Sequence, residues 1–104
     1  MSVQQMALVW ALYLPHTEAW VLMALADHAD HNGKHVYPSV GLIAWKTGYS
    51  KRQVFRALSL LQKRKLIKAV ANKGGKVSSR AVTYELQLWH GENKPPYLSK
   101  RDDP

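Results

Sequence analysis

The stretch Lys46-Thr47-Gly48-Tyr49-Ser50-Lys51-Arg52-Gln53-Val54-Phe55-Arg56-Ala57-Leu58-Ser59-Leu60-Leu61-Gln62-Lys63-Arg64 decides how this chain folds. Ser50 and Gln53 have the spacing of a capping box, in which two side chains reciprocally satisfy amides that the first helical turn leaves unpaired. A helix is therefore expected to open at Ser50 and run to about Arg64. Just upstream, Gly48 stands where a preceding helix needs a left-handed residue to end on. That helix is short: Pro38-Ser39 offers its cap, and it reaches about Lys46. Two helices joined by Thr47-Gly48-Tyr49 form a helix-turn-helix, the arrangement in which the second helix enters a DNA major groove.

The pattern within the second helix says which side is free. Stepping about 100° per residue from Val54 puts Ala57, Leu58 and Leu61 within about 60° of it. Arg52, Arg56, Ser59 and Lys63 fall on the opposite side, with Phe55 and Gln62 on one shoulder. An ordinary surface helix mixes signs of charge; this one has no acid. The bias extends further, since no acidic residue lies between Asp30 and Glu85, where twelve of the fifteen lysines and arginines are found. A field of one sign over half a small domain is the footprint of a protein that sits on a polyanion.

Outward from this unit, Val3 to Leu14 reads as an apolar helix closed by Pro15. Thr17 is placed to cap a central helix from Glu18 to about Ala29, with a broad apolar face from Trp20 to Ala26. Asn32-Gly33 signals a turn, and His35-Val36-Tyr37 is long enough for a short strand. Leu66 to Ala71 and Ala81 to Trp89 read as a strand pair, joined by the glycine turn Asn72-Lys73-Gly74-Gly75-Lys76. The expected architecture is α+β: three or four helices and a three-stranded antiparallel sheet ending in a β-hairpin wing, a winged helix-turn-helix over residues 1–89. Residues 90–104 lose apolar periodicity and read as a flexible tail.

Composition bounds the rest. A chain of 104 residues, 46% apolar, has room for one domain with its own core. It has no cysteine, which fits a reducing compartment, and its longest apolar stretch is too short to span a bilayer. A cytoplasmic protein with no membrane partner and no small-molecule substrate is expected. No nucleophile–base pairing, phosphate-cradling loop or carboxylate cluster points to an enzyme or a cofactor. His28, His31 and His35 near Asp27 and Asp30 match no standard metal spacing, and a helix C-terminus favours histidines on its own account.

Leu22-Met23-Ala24-Leu25-Ala26-Asp27-His28-Ala29-Asp30, Tyr37-Pro38-Ser39, Lys46-Thr47-Gly48-Tyr49-Ser50-Lys51-Arg52-Gln53-Val54 and Leu66-Ile67 together resemble the winged helix-turn-helix domains of phage, plasmid and mobile-element replication initiators and regulators. The resemblance covers roughly residues 14–88 and implies duplex DNA as partner, in either a regulatory or an origin-binding role. It implies that Ser50, Lys51, Arg52 and Gln53 begin the DNA-reading element.

The candidate DNA-contacting residues are Ser39, Lys46, Ser50, Lys51, Arg52, Gln53, Phe55, Arg56 and Lys63, with Lys73, Lys76 and Arg80 on the wing. Arg52 and Arg56, one turn apart, suit bidentate contact with guanine; Gln53 suits adenine if its capping role leaves the amide free. Phe55 departs from the family's usual polar residue and serves either a thymine methyl or the wing. Lys63 is placed for backbone phosphate, and the wing cations for phosphate or a narrow minor groove. Leu42 and Trp45, polar in the resembling family, point away from the core. Either the N-terminal segment with Trp10 covers them, or they form a contact with a second copy or another protein.

Overall fold

The computed structural model describes residues 3–71 and 83–94. The helices are α1 (Val3–Ala11), α2 (His16–Asp27), α3 (Val40–Thr47) and α4 (Lys51–Lys63). Strands β1 (Ile67–Ala71) and β2 (Thr83–Leu86) follow, then a 3-10 turn at Leu88–His90. This is a winged helix-turn-helix fold. The wing tip with Lys73, Lys76 and Arg80 lies outside the described residues.

Helix α2 is the hub, because its apolar residues run most of the way round it and a helix of that kind must be enclosed. Val21, Leu22, Leu25 and Ala26 are wholly buried, with α1, α3 and α4 all packed on them. The helix starts at His16 with Pro15 in the cap position, and no side chain caps it. Thr17, expected as the cap, lies inside the first turn instead, because the Pro15 carbonyl already accepts the first helical bond from Ala19 at 2.9 Å.

Helix α1 ends three residues earlier than its apolar run suggested. Tyr13 N–H donates to the Glu92 carbonyl and Lys94 N–H to the Ala11 carbonyl, both at 2.8 Å, and Leu12 forms an antiparallel bridge with Asn93. Those backbone groups are thereby taken from a further helical turn. Residues 91–94, assigned by composition to a tail, thus close against the core. Gly91 permits this: a Cβ there would stand 2.6 Å from Leu12 Cδ2 and 2.9 Å from Leu66 Cδ2.

The sheet has two strands where three were expected. β1 and β2 pair antiparallel, Ile67 with Leu86 and Ala69 with Tyr84, with an irregularity between Ala69 and Ala71. Val36 pairs with Tyr84 only as an isolated bridge. The reason is local: His35 is left-handed at φ +62°, and Pro38 has no N–H to give a ladder. The strand expected to reach Trp89 stops at Leu86 and tightens into the 3-10 turn that leads to Gly91.

The α4–β1 junction sets where the wing leaves the helix. Lys65 N–H donates to Gln62 O and Leu66 N–H to Leu61 O, both at 3.0 Å, with Lys65 at φ +63°. These two bonds define a Schellman ending, here built on a lysine instead of glycine, with buried Leu61 and Leu66 as its apolar contact. Beside it, Arg64 Nε donates to Glu18 Oε1 at 2.5 Å, and that carboxylate is buried at 5% exposure. A buried carboxylate needs a partner, so this pair fixes the end of α4 to the start of α2.

Candidate nucleic-acid interface

The interface is built on α4. Ser50 Oγ accepts from Gln53 N–H at 3.2 Å, and Ser50 N–H donates to Gln53 Oε1 at 2.9 Å, so both halves of the capping box are present. Gly48, at φ +81°, ends α3 as a left-handed residue. Val54, Ala57, Leu58 and Leu61 are buried, as the angular pattern required. Lys51, Arg52, Phe55, Arg56, Ser59 and Lys63 are exposed, so the cationic side of the helix faces solvent. Among the described residues none of Lys51, Arg52, Arg56 and Lys63 is in an ion pair: the three pairs formed are Asp30–His35, Asp27–Lys46 and Glu18–Arg64.

Side-chain geometry narrows several roles. Reading adenine with both amide atoms requires Gln53 Oε1, which is held by the cap; Ser50 Oγ also lies 3.2 Å from it. The two jobs exclude each other while the cap is closed. Ser39 is likewise a cap, accepting from Leu42 N–H at 3.1 Å. The capping box satisfies the amides of Ser50 and Gln53 and leaves those of Lys51 and Arg52, at the positive pole of the helix, for an outside acceptor. Phe55 is 59% exposed at the shoulder of α4.

Lys46 is the candidate most altered by the fold. Its ammonium pairs with Asp27 and lies 3.1 Å from His28 Nε2. The hydrogen bond from Lys46 holds the Asp27 carboxyl below its ordinary range. Burial, and then the neighbouring Lys46 charge, push the His28 imidazole down. The Lys46 charge is largely neutralised where it stands, at the edge of the positive surface.

His28 and His35 are engaged separately. His35 Nδ1 meets Asp30 Oδ2 at 2.9 Å, while Asp30 Oδ1 accepts from the backbone of Lys34 at 2.8 Å and of Asn32 at 2.9 Å. Those bonds, the Lys34 amide foremost, lower the Asp30 pKa. Among the described residues no group of three His, Asp or Glu side chains is placed to hold a metal ion. His28, His31 and His35 instead line an open groove of about 730 Å³ with Tyr37, Pro38 and Leu42.

Of the apolar candidates, Trp45 is 80% exposed and Leu42 lies at the surface. α1 packs on α2 and does not cover them; Trp10 is itself exposed. Sequence reasoning missed Glu18 and Arg64, whose pairing crosses 46 residues and leaves no local trace.

A family model described as a helix-turn-helix domain matches residues 12–67, more than half the chain. The chain belongs to this family. The match runs from the bridge at Leu12 through both helices of the motif to the first residue of the wing. The helix-turn-helix domain is also similar to a solved structure of a Lactococcus lactis ZitR mutant in complex with DNA. The two chains are 28% identical, with a TM-score of 0.52 over 72% of this chain and 44% of that one. This chain thus spans under half the length of its structural neighbour. No curated protein matches. No described helix is long and apolar enough to cross a membrane.

Proposed function

We propose that the protein is a non-enzymatic binder of double-stranded DNA that acts in the cytoplasm as a sequence-specific transcriptional or mobile-element regulator. The observation that carries this reading is the exposed side of α4: Lys51, Arg52, Arg56 and Lys63 without an acid or an ion-pair partner, on the second helix of a helix-turn-helix. The DNA in the structure of the ZitR mutant supports it. Docked in the major groove, α4 offers its two spare N-terminal amides and Lys51 to a phosphate, and Arg52 and Arg56 to base edges. Lys63, about three turns further on, meets the backbone. Gln53 contributes the cap and not an adenine contact.

The deciding experiment selects binding sites from a random duplex library, then measures affinity for the best site by fluorescence anisotropy. A single preferred motif supports regulation. Tandem direct repeats near a replication origin would place the protein in origin binding, the other role the family resemblance implies. A protein that binds no duplex but captures a protein through Leu42 and Trp45 would overturn the proposal.

A further inference from the structure

The outward side of α1 is apolar. On a 3.6-residue repeat, buried Gln5 and Val9 define the inner side. Val3, Ala7, Leu8, Trp10 and Ala11 then spread over the outer arc, all exposed, with Gln4 as its single polar residue. The helix carries no charge at all. At its C-terminal shoulder the surface continues through exposed Tyr13 and Trp20 around a groove of about 580 Å³, floored by Met23. A broad apolar arc belongs against something. Among the described residues α1 is covered on its inner side by α2, with Gln5 bonded to the His31 carbonyl, and at its end by residues 93–94, while the outer arc is exposed.

We propose that this face is the contact between two copies of the chain, related by a twofold axis. Charge selects the occupant. The chain carries a net +8, and the cations of α4 would repel those of a second copy. The α1 face is a neutral part of the surface, with Lys94 and the self-neutralised Asp27–Lys46 pair only at its rim. Two such faces meet without opposing charge, whereas a charged partner would find nothing there to pair with. Size agrees. Val3, Leu8, Trp10, Tyr13 and Trp20 are between 49% and 71% exposed. Taking about 150–250 Å² for a whole aromatic side chain, they offer on the order of 600 Å². The alanines and Gln4 bring this near the roughly 800 Å² per partner of a standard interface. The contact falls at the smaller end of that class.

In a twofold pair, Trp10 of each copy can enter the groove beside Trp20 of the other, the reciprocity that an isologous contact demands. Among helices α1 packs on α2, while the cationic side of α4 lies elsewhere, so pairing leaves both α4 helices free. Resting on the DNA-binding reading, this implies a palindromic site with two half-sites.

Sedimentation equilibrium of the protein without DNA, from about 1 to 300 μM, is the test. The apparent mass should rise from 11.8 kDa toward twice that value. Leu8→Glu with Trp10→Glu should weaken association by at least tenfold with unchanged far-ultraviolet circular dichroism. Should that pair of changes disturb folding, Ala7→Arg adds a charge to the same face while keeping a good helix former and every buried side chain. A monomer at all concentrations, or a dimer indifferent to Ala7→Arg, overturns the proposal. Neither result depends on DNA, and affinity for a single half-site, unchanged in Ala7→Arg, reports separately on α4.

Discussion

Lys65 carries the clearest backbone strain near the interface. Its φ of +63° ends α4 and starts the turn into β1, the role usually filled by glycine. An L-residue in that conformation costs about 1–2 kcal/mol, and Lys and Ala share the cost because both have a Cβ. Lys65→Gly removes it but gives the unfolded chain extra freedom worth about 0.4–1 kcal/mol. The net expectation is a stabilisation of about 0.5–1 kcal/mol for Lys65→Gly and almost no change for Lys65→Ala. At a helical position the order would be the reverse, alanine exceeding glycine by about 1 kcal/mol. The sign of the Gly–Ala difference therefore tests the junction itself. Urea unfolding of the three proteins, with equal m-values, gives the comparison; for a domain of this size a gain of 1 kcal/mol raises Tm by about 4–8 °C. If Lys65→Ala is as stable as Lys65→Gly or more so, Lys65 is not left-handed and the path from α4 into the wing is wrong.

Three further outcomes are expected. Ser50→Ala opens the capping box and should cost about 1 kcal/mol in urea unfolding, with Gln53→Ala costing less because it leaves the serine cap in place. Stability should fall as pH drops in two steps. The first is from His28, whose depressed folded pKa means that protonation below its ordinary 6.5 favours the unfolded chain. The second is from Asp27, also depressed, whose contribution is present above 3.8 and lost as pH falls through its folded pKa. His28→Gln should remove the first step in pH-resolved unfolding curves, and Asp27→Asn should diminish the second, to which Asp30, also depressed, contributes. Arg52→Ala should weaken the selected site by about 1–3 kcal/mol more than random duplex, while Lys63→Ala weakens both alike; equal losses for Arg52→Ala would deny it a base contact.

What the sequence made legible was local. The Ser50–Gln53 spacing, Gly48 and the stripe Val54, Ala57, Leu58 and Leu61 each express an interaction within a few residues, and each took its expected place. What it concealed crosses the chain. Asp27 meets Lys46 over 19 residues and Glu18 meets Arg64 over 46, so two of the twelve cations in the acid-free stretch turned out to be neutralised from α2. Charge counted along the chain overstates charge available on the surface for that reason. The shortened third strand depended on His35 adopting a left-handed conformation, which a histidine does not advertise. The return of residues 91–94 to Leu12 rested on a single glycine whose contacts are all distant. The roles of Lys73, Lys76 and Arg80 fall outside the described residues and stay with the DNA experiments.

The central claim is that the free cations of α4 hold duplex DNA. Fluorescence anisotropy with the selected duplex at salt concentrations from about 50 to 300 mM tests it most directly. With about five phosphate contacts, from α4 and the wing, log K should fall against log salt with a slope of roughly −4 to −5. Arg52→Ala combined with Arg56→Ala should abolish the preference for the selected site. A slope near zero, no binding at about 100 mM salt, or a doubly substituted protein that still prefers the site would contradict the account.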